Sequence, residues 1–437
     1  MKLSSAQRLY ALGAILLTAL AVCAHNFSHK GAPSFLIPLA LAGVGYLLAF
    51  RELSSAPSLP TRVLFFGLAL AAFWHLFFLR LPPGLDDDVH RYVWDGRVQR
   101  LGYNPYLLVP NDPAFASLHT AETITLNNPE VPSPYPPAAQ LFFRAVASLH
   151  ESVFAFKLAF VLCDVAIVLL LFDLLPRIGR PQHWVLAFAW HPLLPIEVAG
   201  SGHVDILGAL LLLLSALALA RHWRAAAAAA FSLAVAVKFL PIVLAPLYWK
   251  RLRLRDAALA VAVFVLLYLP FLHHGRIPFG SFGAYVQRFR FNDPVFSTLE
   301  RWAAPQFVAA LALFVGWLTA FAVSRKSAEP SSSAFAWPMA ASLFCAPVVY
   351  PWYMLWALPF FRSVAVLPIL VWSVSILPTY YVWHLRTLGR PWVVPAWILW
   401  LEYGSVALTS VFALIFHLRR PALTQAPVGQ RNVSPHA

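Results

Sequence analysis

The feature that most constrains this chain is a succession of apolar runs of about 18–23 residues, each long enough to cross the roughly 30 Å hydrocarbon layer of a bilayer as a helix. Most of these runs lack the polar stripe at a 3.6-residue period that marks a helix packed on a soluble core. Only 11% of the residues are charged, against about 25% in an ordinary soluble protein. The sequence therefore predicts an all-α fold, a polytopic transmembrane helical bundle of about 12–14 membrane helices, half-helices included. The runs lie at 9–27, 33–50, 62–79, 153–175, 183–199, 204–220, 225–248, 257–272, 305–323, 334–350, 351–361, 364–381 and 393–417.

Positive charge is concentrated in the short loops between these runs. Lys and Arg collect in cytoplasmic loops, so the formal net charge of +14 is read as a sign of topology, and no nucleic-acid partner is expected. A basic chain also suits anionic membrane lipids and phosphate-bearing lipid substrates. The basic residues are Arg51, Arg62, Arg177, Arg180, Arg221, Arg224, Lys250, Arg251, Arg253, Arg255, Arg325, Lys326, Arg419 and Arg420.

All of these residues are cytoplasmic together only if the run at 225–248 enters and leaves on the same face. Lys238 and Pro241 lie at its middle. Proline breaks a helix, and a lysine at membrane depth should face a polar cavity. The sequence therefore favours two half-helices that meet at Lys238. The alternative is one kinked span whose lysine reaches to the membrane surface.

With this hairpin, two long loops face the outer side, at 80–152 and 273–304. Residues 1–420 are then predicted to form a single transmembrane catalytic domain, and 421–437 a disordered cytoplasmic tail, because this last segment is polar. The three cysteines all lie in apolar runs and indicate neither a disulfide framework nor a zinc site.

The first outer loop begins with three adjacent carboxylates, Asp86, Asp87 and Asp88. Their mutual repulsion raises the pKa of at least one of them, which suits a general base near neutral pH. On a helix, Arg91 and Asp95 would share a face with Asp87, where the guanidinium orients a carboxylate or binds a phosphate.

The alternative for this cluster is a solvated acidic loop that binds nothing. The aromatic residues Tyr92 and Trp94 instead favour an ordered segment at the membrane interface. A hard divalent cation held by the three aspartates is a further possibility.

Other polar or aromatic residues at membrane depth or in turns are candidate binding residues. The alternative role for Glu197 is a structural hydrogen bond inside the bundle. The alternative for Trp352 and Tyr353 is that they belong to an aromatic belt at the membrane interface. The remaining candidates are Asn104, Tyr135, His203, Asp205 and Lys238.

Taken together, these motifs resemble the GT-C superfamily of membrane glycosyltransferases, and more narrowly the bacterial polyprenyl-phosphate-mannose-dependent mannosyltransferases. The resemblance covers about residues 80–360 and rests on the order of weak motifs. These are Asp87-Asp88, Arg91-Tyr92-Val93-Trp94-Asp95-Gly96, Asn104-Pro105-Tyr106, Tyr135-Pro136-Pro137, Glu197 with Gly202-His203-Val204-Asp205, Lys238 with Pro241, and Pro351-Trp352-Tyr353.

The resemblance implies an inverting transfer of a sugar, with mannose the first expectation, from a polyprenyl-phosphate donor to a glycan or lipid acceptor. It also implies a multi-pass protein of the bacterial inner membrane whose active site faces the outer side. Asp87 is the first choice for the base and Asp88 the second. Arg91, Lys238 and His203 are candidates for the phosphate or sugar sites.

Two other classes of function remain as alternatives. A transporter or flippase of a lipid-linked or anionic substrate would also use polar residues in the membrane, but it predicts charges along a path through the bilayer. A polysaccharide ligase or polymerase of the envelope would have a large, Arg-rich outer loop, and the loop at 273–304 is modest. Because the carboxylates are concentrated in one outer loop, the enzyme is favoured.

Overall fold

The computed structural model describes residues 3–84, 87–325 and 332–419, with the side chains of 416–419 left out. The only extended pairing within these ranges consists of two isolated bridges, between His273 and Arg276 and between Phe291 and Val348. The prediction of an all-α helical bundle is confirmed. Asp86 and the tail at 421–437, which was predicted to be disordered, lie outside the described residues.

The helices follow one another along the chain with short 3₁₀ turns between many of them. The first nine are α1 (Ser5–His25), α2 (Pro33–Ser55), α3 (Thr61–Leu79), α4 (Asp88–Arg100), α5 (Pro137–Leu149), α6 (Val153–Arg177), α7 (Val185–Ala189), α8 (Asp205–Ala220) and α9 (Arg224–Val235). The others are α10 (Ala245–Tyr248), α11 (Leu254–Tyr268), α12 (Phe282–Arg288), α13 (Pro294–Leu299), α14 (Pro305–Ser324), α15 (Ser332–Phe344), α16 (Leu367–Ser375), α17 (Tyr381–Thr387) and α18 (Ala396–Arg419).

Eight segments among the described residues are long and apolar enough to cross a membrane. Five are the single helices α1, α2, α3, α6 and α14, and three are Leu254–Phe271, Val364–Thr387 and Ala396–Ile415. Their outward faces are apolar: in α18, Trp400 and Leu408 are 79% and 71% exposed. Exposed side chains of this size suit contact with lipid rather than water. The other apolar runs form shorter helices, among them α8 and α9.

The run at 183–199 is interrupted at the centre of the bundle. Helix α7 ends before His191-Pro192, and a π-helical segment, Leu194–Ser201, follows. Because proline lacks the backbone donor that continues a helix, Pro192 interrupts α7. Every side chain of the π-helical segment is buried. π-Helical turns are frequent at functional sites, and this one carries Glu197.

The segment at 225–248 folds back on itself. Helix α9 ends at Val235, and α10 returns beside it, so that the rings of Phe231 and Tyr248 lie 4.4 Å apart. The Ser215 hydroxyl donates to the carbonyl of Ala227 and also hydrogen-bonds the Tyr248 hydroxyl at 2.7 Å. The predicted hairpin with Lys238 near its tip is therefore confirmed, and a single kinked span is excluded.

The first outer loop carries two helices among its described residues. Helices α4 and α5 pack closely within it, because Gly96 brings the two backbones together. A β-carbon at Gly96 would lie 2.5 Å from the carbonyl oxygen of Phe143. The second outer segment contributes α12 and α13. Side chains of α4 and α12 line one cavity of the bundle.

Candidate active site

A cavity of about 920 Å³ lies between the first outer loop, the tip of the hairpin, α12 and the turn around Pro351. Half of the predicted site residues line it, although they are distributed over most of the chain. They are Asp87, Asp88, Arg91, Tyr135, Lys238, Trp352 and Tyr353.

The acidic pair stands at the start of α4. Asp87 occupies the position before the helix and Asp88 its first turn. The side-chain amide of Asn127 donates to Asp88 Oδ1, and Asp88 Oδ2 lies 3.6 Å from His203 Nδ1. The Asp88 side chain is 21% exposed. Its carboxylate therefore contacts both the cavity and a buried histidine.

Behind this histidine lies a buried ion pair that sequence reasoning missed. His203 Nε2 is 2.9 Å from Glu197 Oε2, and Lys30 Nζ donates to Glu197 Oε1 at 2.9 Å. The Tyr380 hydroxyl donates to the same oxygen, and Lys30 also donates to Ser201 Oγ at 3.0 Å. Lys30 is fully buried. In the sequence it is an isolated charge between the first two apolar runs, where nothing distinguishes it from a loop residue.

Lys238 projects from the hairpin tip into the cavity. Its Nζ donates to both carboxylate oxygens of Asp205, at 2.9 and 3.2 Å, and lies 3.9 Å from the centre of the Tyr353 ring. The Trp356 indole donates to Asp205 Oδ1 at 2.7 Å. Asp205 is fully buried, whereas the Lys238 side chain is 23% exposed. Lys238 is therefore the accessible member of this pair, as expected of a lysine that faces a polar cavity.

The Pro351-Trp352-Tyr353 turn connects the two charged groups. The Trp352 ring stacks on His203 at 4.1 Å between centroids and on Tyr350 at 4.3 Å. Tyr353 lies under Lys238, and its hydroxyl hydrogen-bonds that of Tyr285. Trp352 and Tyr353 are 4% and 8% exposed, so they form a wall of the site rather than an aromatic belt at the lipid interface.

Arg91 fastens the first outer loop to α4. All three of its guanidinium nitrogens donate: Nε to Asp95 Oδ1, Nη1 to the carbonyl of Asn128 and Nη2 to the carbonyl of Val131. The prediction that Arg91 and Asp95 share one face of a helix and can pair is thus confirmed. Asp95 also accepts from the Gln140 amide at 2.8 Å and is fully buried. Burial raises the pKa of the Asp95 carboxyl, and the Arg91 charge opposes that shift.

Of the seven predicted site residues outside the cavity lining, Tyr92, Trp94 and Asn104 hold the first outer loop together or fix it to its surroundings. Tyr92 stacks on Phe143 at 4.5 Å, and Trp94 stacks on His119 at 4.2 Å. The Asn104 amide donates to the carbonyl of Phe271 at 2.8 Å, which fixes the loop to the end of the α11 segment. These motif residues shape the wall of the site from behind.

The cavity also has cationic side chains that the sequence did not single out. Arg288 and Arg386 line it and are exposed, and Arg290 pairs with Glu300 at 2.6 Å. No pattern in the sequence distinguishes these arginines from others in loops. Phe282 and Trp392 add apolar wall between them.

A divalent cation would need several oxygen ligands in one place. Within the described ranges, no three His, Cys, Asp or Glu side chains form a group that could hold a metal ion. Asp86, the remaining member of the acidic triplet, lies outside those ranges.

Comparison with protein families gives one match. The model of the MptA_B family, described as alpha-(1->6)-mannopyranosyltransferase, N-terminal domain, matches residues 8–251. Searches of curated proteins and of solved structures gave no match. The matched segment includes Asp87, Asp88, Glu197, His203 and Lys238, and it favours an enzyme over a transporter. Because the match covers more than half of the chain, the protein belongs to the alpha-(1->6)-mannopyranosyltransferase family of mannosyl-transferring glycosyltransferases.

Proposed function

We propose that the protein transfers mannose from a polyprenyl-phosphate donor to a hydroxyl group of a glycan or lipid acceptor, with inversion at the anomeric carbon. The observation that carries this proposal is that the acidic pair and Lys238 line the same cavity. A carboxylate can take the proton of the acceptor hydroxyl. A lysine can stabilise the negative charge that develops on the leaving phosphate.

The arrangement of the cavity supports a separation of these two roles. Asp88 lies beside His203, whereas Lys238 lies over Tyr353. Trp352, which stacks on His203, is adjacent to Tyr353, and their rings are 6.2 Å apart. Base and phosphate site are thus on either side of the Trp352–Tyr353 pair, and the sugar is proposed to bind between them.

A lipid-linked donor fits the composition of the walls. The sequence has no Gly-rich phosphate loop of the kind that binds nucleotides. The aromatic side chains that line the cavity offer apolar surface to a prenyl chain. They include Phe239, Phe282, Phe289, Trp383 and Trp392.

The family description specifies an alpha-(1->6) linkage, which we extend to this chain as part of the proposal. An inverting enzyme gives an alpha product only from a beta-linked donor, so the donor would be a beta-mannosyl polyprenyl phosphate. The acceptor would then be the primary 6-hydroxyl of a mannoside. Arg288 and Arg386, which line the cavity, are available to hydrogen-bond acceptor hydroxyls.

We further propose that the cavity faces the outer side of the bacterial inner membrane. Support comes from contacts that bring the basic loops together. Arg221 and Arg177 share Asp173, at 3.2 and 2.7 Å. Arg251 donates to Ser324 Oγ at 2.9 Å, which joins the cluster at 250–255 to the end of α14. Each of these contacts joins two basic segments that the proposed topology places on the cytoplasmic side, which supports this orientation.

The test is a transfer assay with the purified full-length protein. Labelled beta-mannosyl polyprenyl phosphate is offered with a synthetic alpha-mannoside acceptor, and the product linkage is analysed. The alpha-linked donor and GDP-mannose serve as controls. Transfer from the beta-linked lipid donor alone, to the 6-hydroxyl, is expected. Transfer from GDP-mannose, or movement of the intact donor across vesicles without transfer, would overturn the proposal.

A further inference from the structure

The acidic pair offers two candidate bases, and the surroundings of Asp88 distinguish it. Its side chain is part of the cavity lining and lies beside His203, which is itself 1% exposed. A base must reach the substrate, and it is a more effective catalyst when a second group holds it in position and shares the proton. Asp88 meets both conditions, because it lines the cavity and lies beside His203.

The contacts behind His203 define which of its nitrogens carries a proton. Lys30 and Glu197 form an ion pair at 2.9 Å in which both side chains are 0% exposed. A buried lysine of this kind requires an ionised carboxylate as its partner. The second oxygen of Glu197 lies 2.9 Å from His203 Nε2, and its negative charge favours a proton on that nitrogen. In the neutral imidazole, Nδ1 is then the acceptor, and it faces Asp88.

We propose that Asp88 is the general base and that Lys30, Glu197 and His203 form a buried chain that positions it and receives its proton. This inference rests on the proposed mannosyl transfer. The acceptor oxygen forms its bond to the anomeric carbon as the bond from that carbon to the phosphate oxygen breaks. The hydroxyl proton moves to Asp88 Oδ2 and is shared with His203 Nδ1, and the phosphate leaves with the electron pair. The proton later returns to water or to the released phosphate.

The separation of 3.6 Å between His203 Nδ1 and Asp88 Oδ2 fits this role. An ionised carboxylate offers no hydrogen to a lone pair, so the two atoms stay beyond hydrogen-bond distance. Once Asp88 holds the proton, its hydroxyl can donate to Nδ1. This hydrogen bond then forms as the proton is transferred, and an interaction gained in the transition state accelerates the reaction.

Two neighbouring side chains shield the buried residues Lys30, Glu197 and His203 from competing contacts. Trp352 covers the face of His203 with a stack at 4.1 Å, which keeps water from the imidazole ring. The Tyr380 hydroxyl donates to Glu197 Oε1 beside Lys30. Lys30 does not line the cavity, so it is a positioning residue that acts through Glu197 and not through the substrate.

A double-mutant cycle separates this role from a purely structural one. Asp88→Asn is expected to lower kcat by about 10²–10⁴-fold. Glu197→Gln and His203→Gln, each in the wild-type background, are expected to lower kcat by about 10–100-fold, as for other groups that orient a catalytic side chain. The KM of the donor should change little. In the Asp88→Asn background, the same two substitutions should have almost no further effect, because residues that act as one unit are not additive.

The buried pair formed by His75 and Asp164, 3.2 Å apart and outside the cavity lining, supplies the matched control. Asp164→Asn should change kcat by the same factor in both backgrounds, as a structural substitution does. Folding is followed by thermal unfolding in detergent. If Glu197→Gln does not fold, Tyr380→Phe replaces it in the cycle, because it removes one donor to the same carboxylate.

The outcomes are distinct for the two proposals. A wild-type protein that transfers no mannose from the lipid donor refutes the proposed function. If the wild-type protein does transfer mannose but Glu197→Gln lowers kcat by the same factor whether residue 88 is Asp or Asn, the proposed role of Lys30, Glu197 and His203 is refuted. Lys30→Arg should recover more kcat than Lys30→Met, since only the former keeps a cation beside Glu197.

Discussion

Lys238 is paired with the buried Asp205 and at the same time faces the cavity. Replacing it with methionine should therefore have two separable effects. The first is on stability: Asp205, which is 0% exposed, loses its charged partner and retains the Trp356 indole as a donor. Removing one partner of a buried pair lowers the free energy of unfolding by about 3–5 kcal/mol.

The second effect is on donor use. A charge-assisted hydrogen bond from Lys238 to the leaving phosphate would contribute about 1.5–3 kcal/mol. Its loss corresponds to about a 10- to 150-fold decrease in kcat/KM for the lipid donor. The unfolding midpoint in detergent and steady-state kinetics at varied donor concentration measure the two effects separately.

The double variant with Lys238→Met and Asp205→Asn distinguishes them further. It removes the uncompensated carboxylate, so most of the lost stability should return, because replacing both members of a buried pair is often nearly neutral. The decrease in kcat/KM should remain, because the cation is still absent. If the double variant recovers both stability and donor use, Lys238 serves only to neutralise Asp205, and the assignment to the phosphate is refuted.

Three further predictions address the base, the topology and the packing of the first outer loop. Asp88→Asn should lower kcat by about 10²–10⁴-fold and Asp87→Asn by less, and the reverse order in the transfer assay would move the base to Asp87. A cysteine at the exposed Ser117 should react with a membrane-impermeant thiol reagent on intact cells, and reaction only after lysis would reverse the proposed topology. Gly96→Ala should destabilise the loop by about 1–3 kcal/mol, measured by thermal unfolding, because the new methyl group would overlap the α5 backbone. Gly404→Ala, with open space around it in α18, is its control and should stabilise the protein slightly, because alanine favours a helix over glycine; equal destabilisation by both substitutions would refute the packing argument.

The sequence by itself determined the features that depend on local chemistry. Apolar runs of membrane-spanning length predicted the bundle because any such run must bury its backbone polar groups in a helix. The hairpin followed from the basic loops on both sides of the run at 225–248, together with Lys238 and Pro241 at its middle, since a proline in a helix interior removes a backbone hydrogen bond. The pairing of Arg91 with Asp95 followed from helical spacing alone.

The tertiary structure decided which polar residues meet. Lys30 and Glu197 are 167 positions apart, and Lys238 and Asp205 are joined only because α8 and the hairpin pack side by side. It also decided that Trp94 packs inside the loop while Trp352 lines the cavity, although both were candidates for the site. A motif specifies the type of a residue and its position in the sequence. Which cavity the side chain lines and which charged group it contacts depend on helices and loops from distant parts of the sequence.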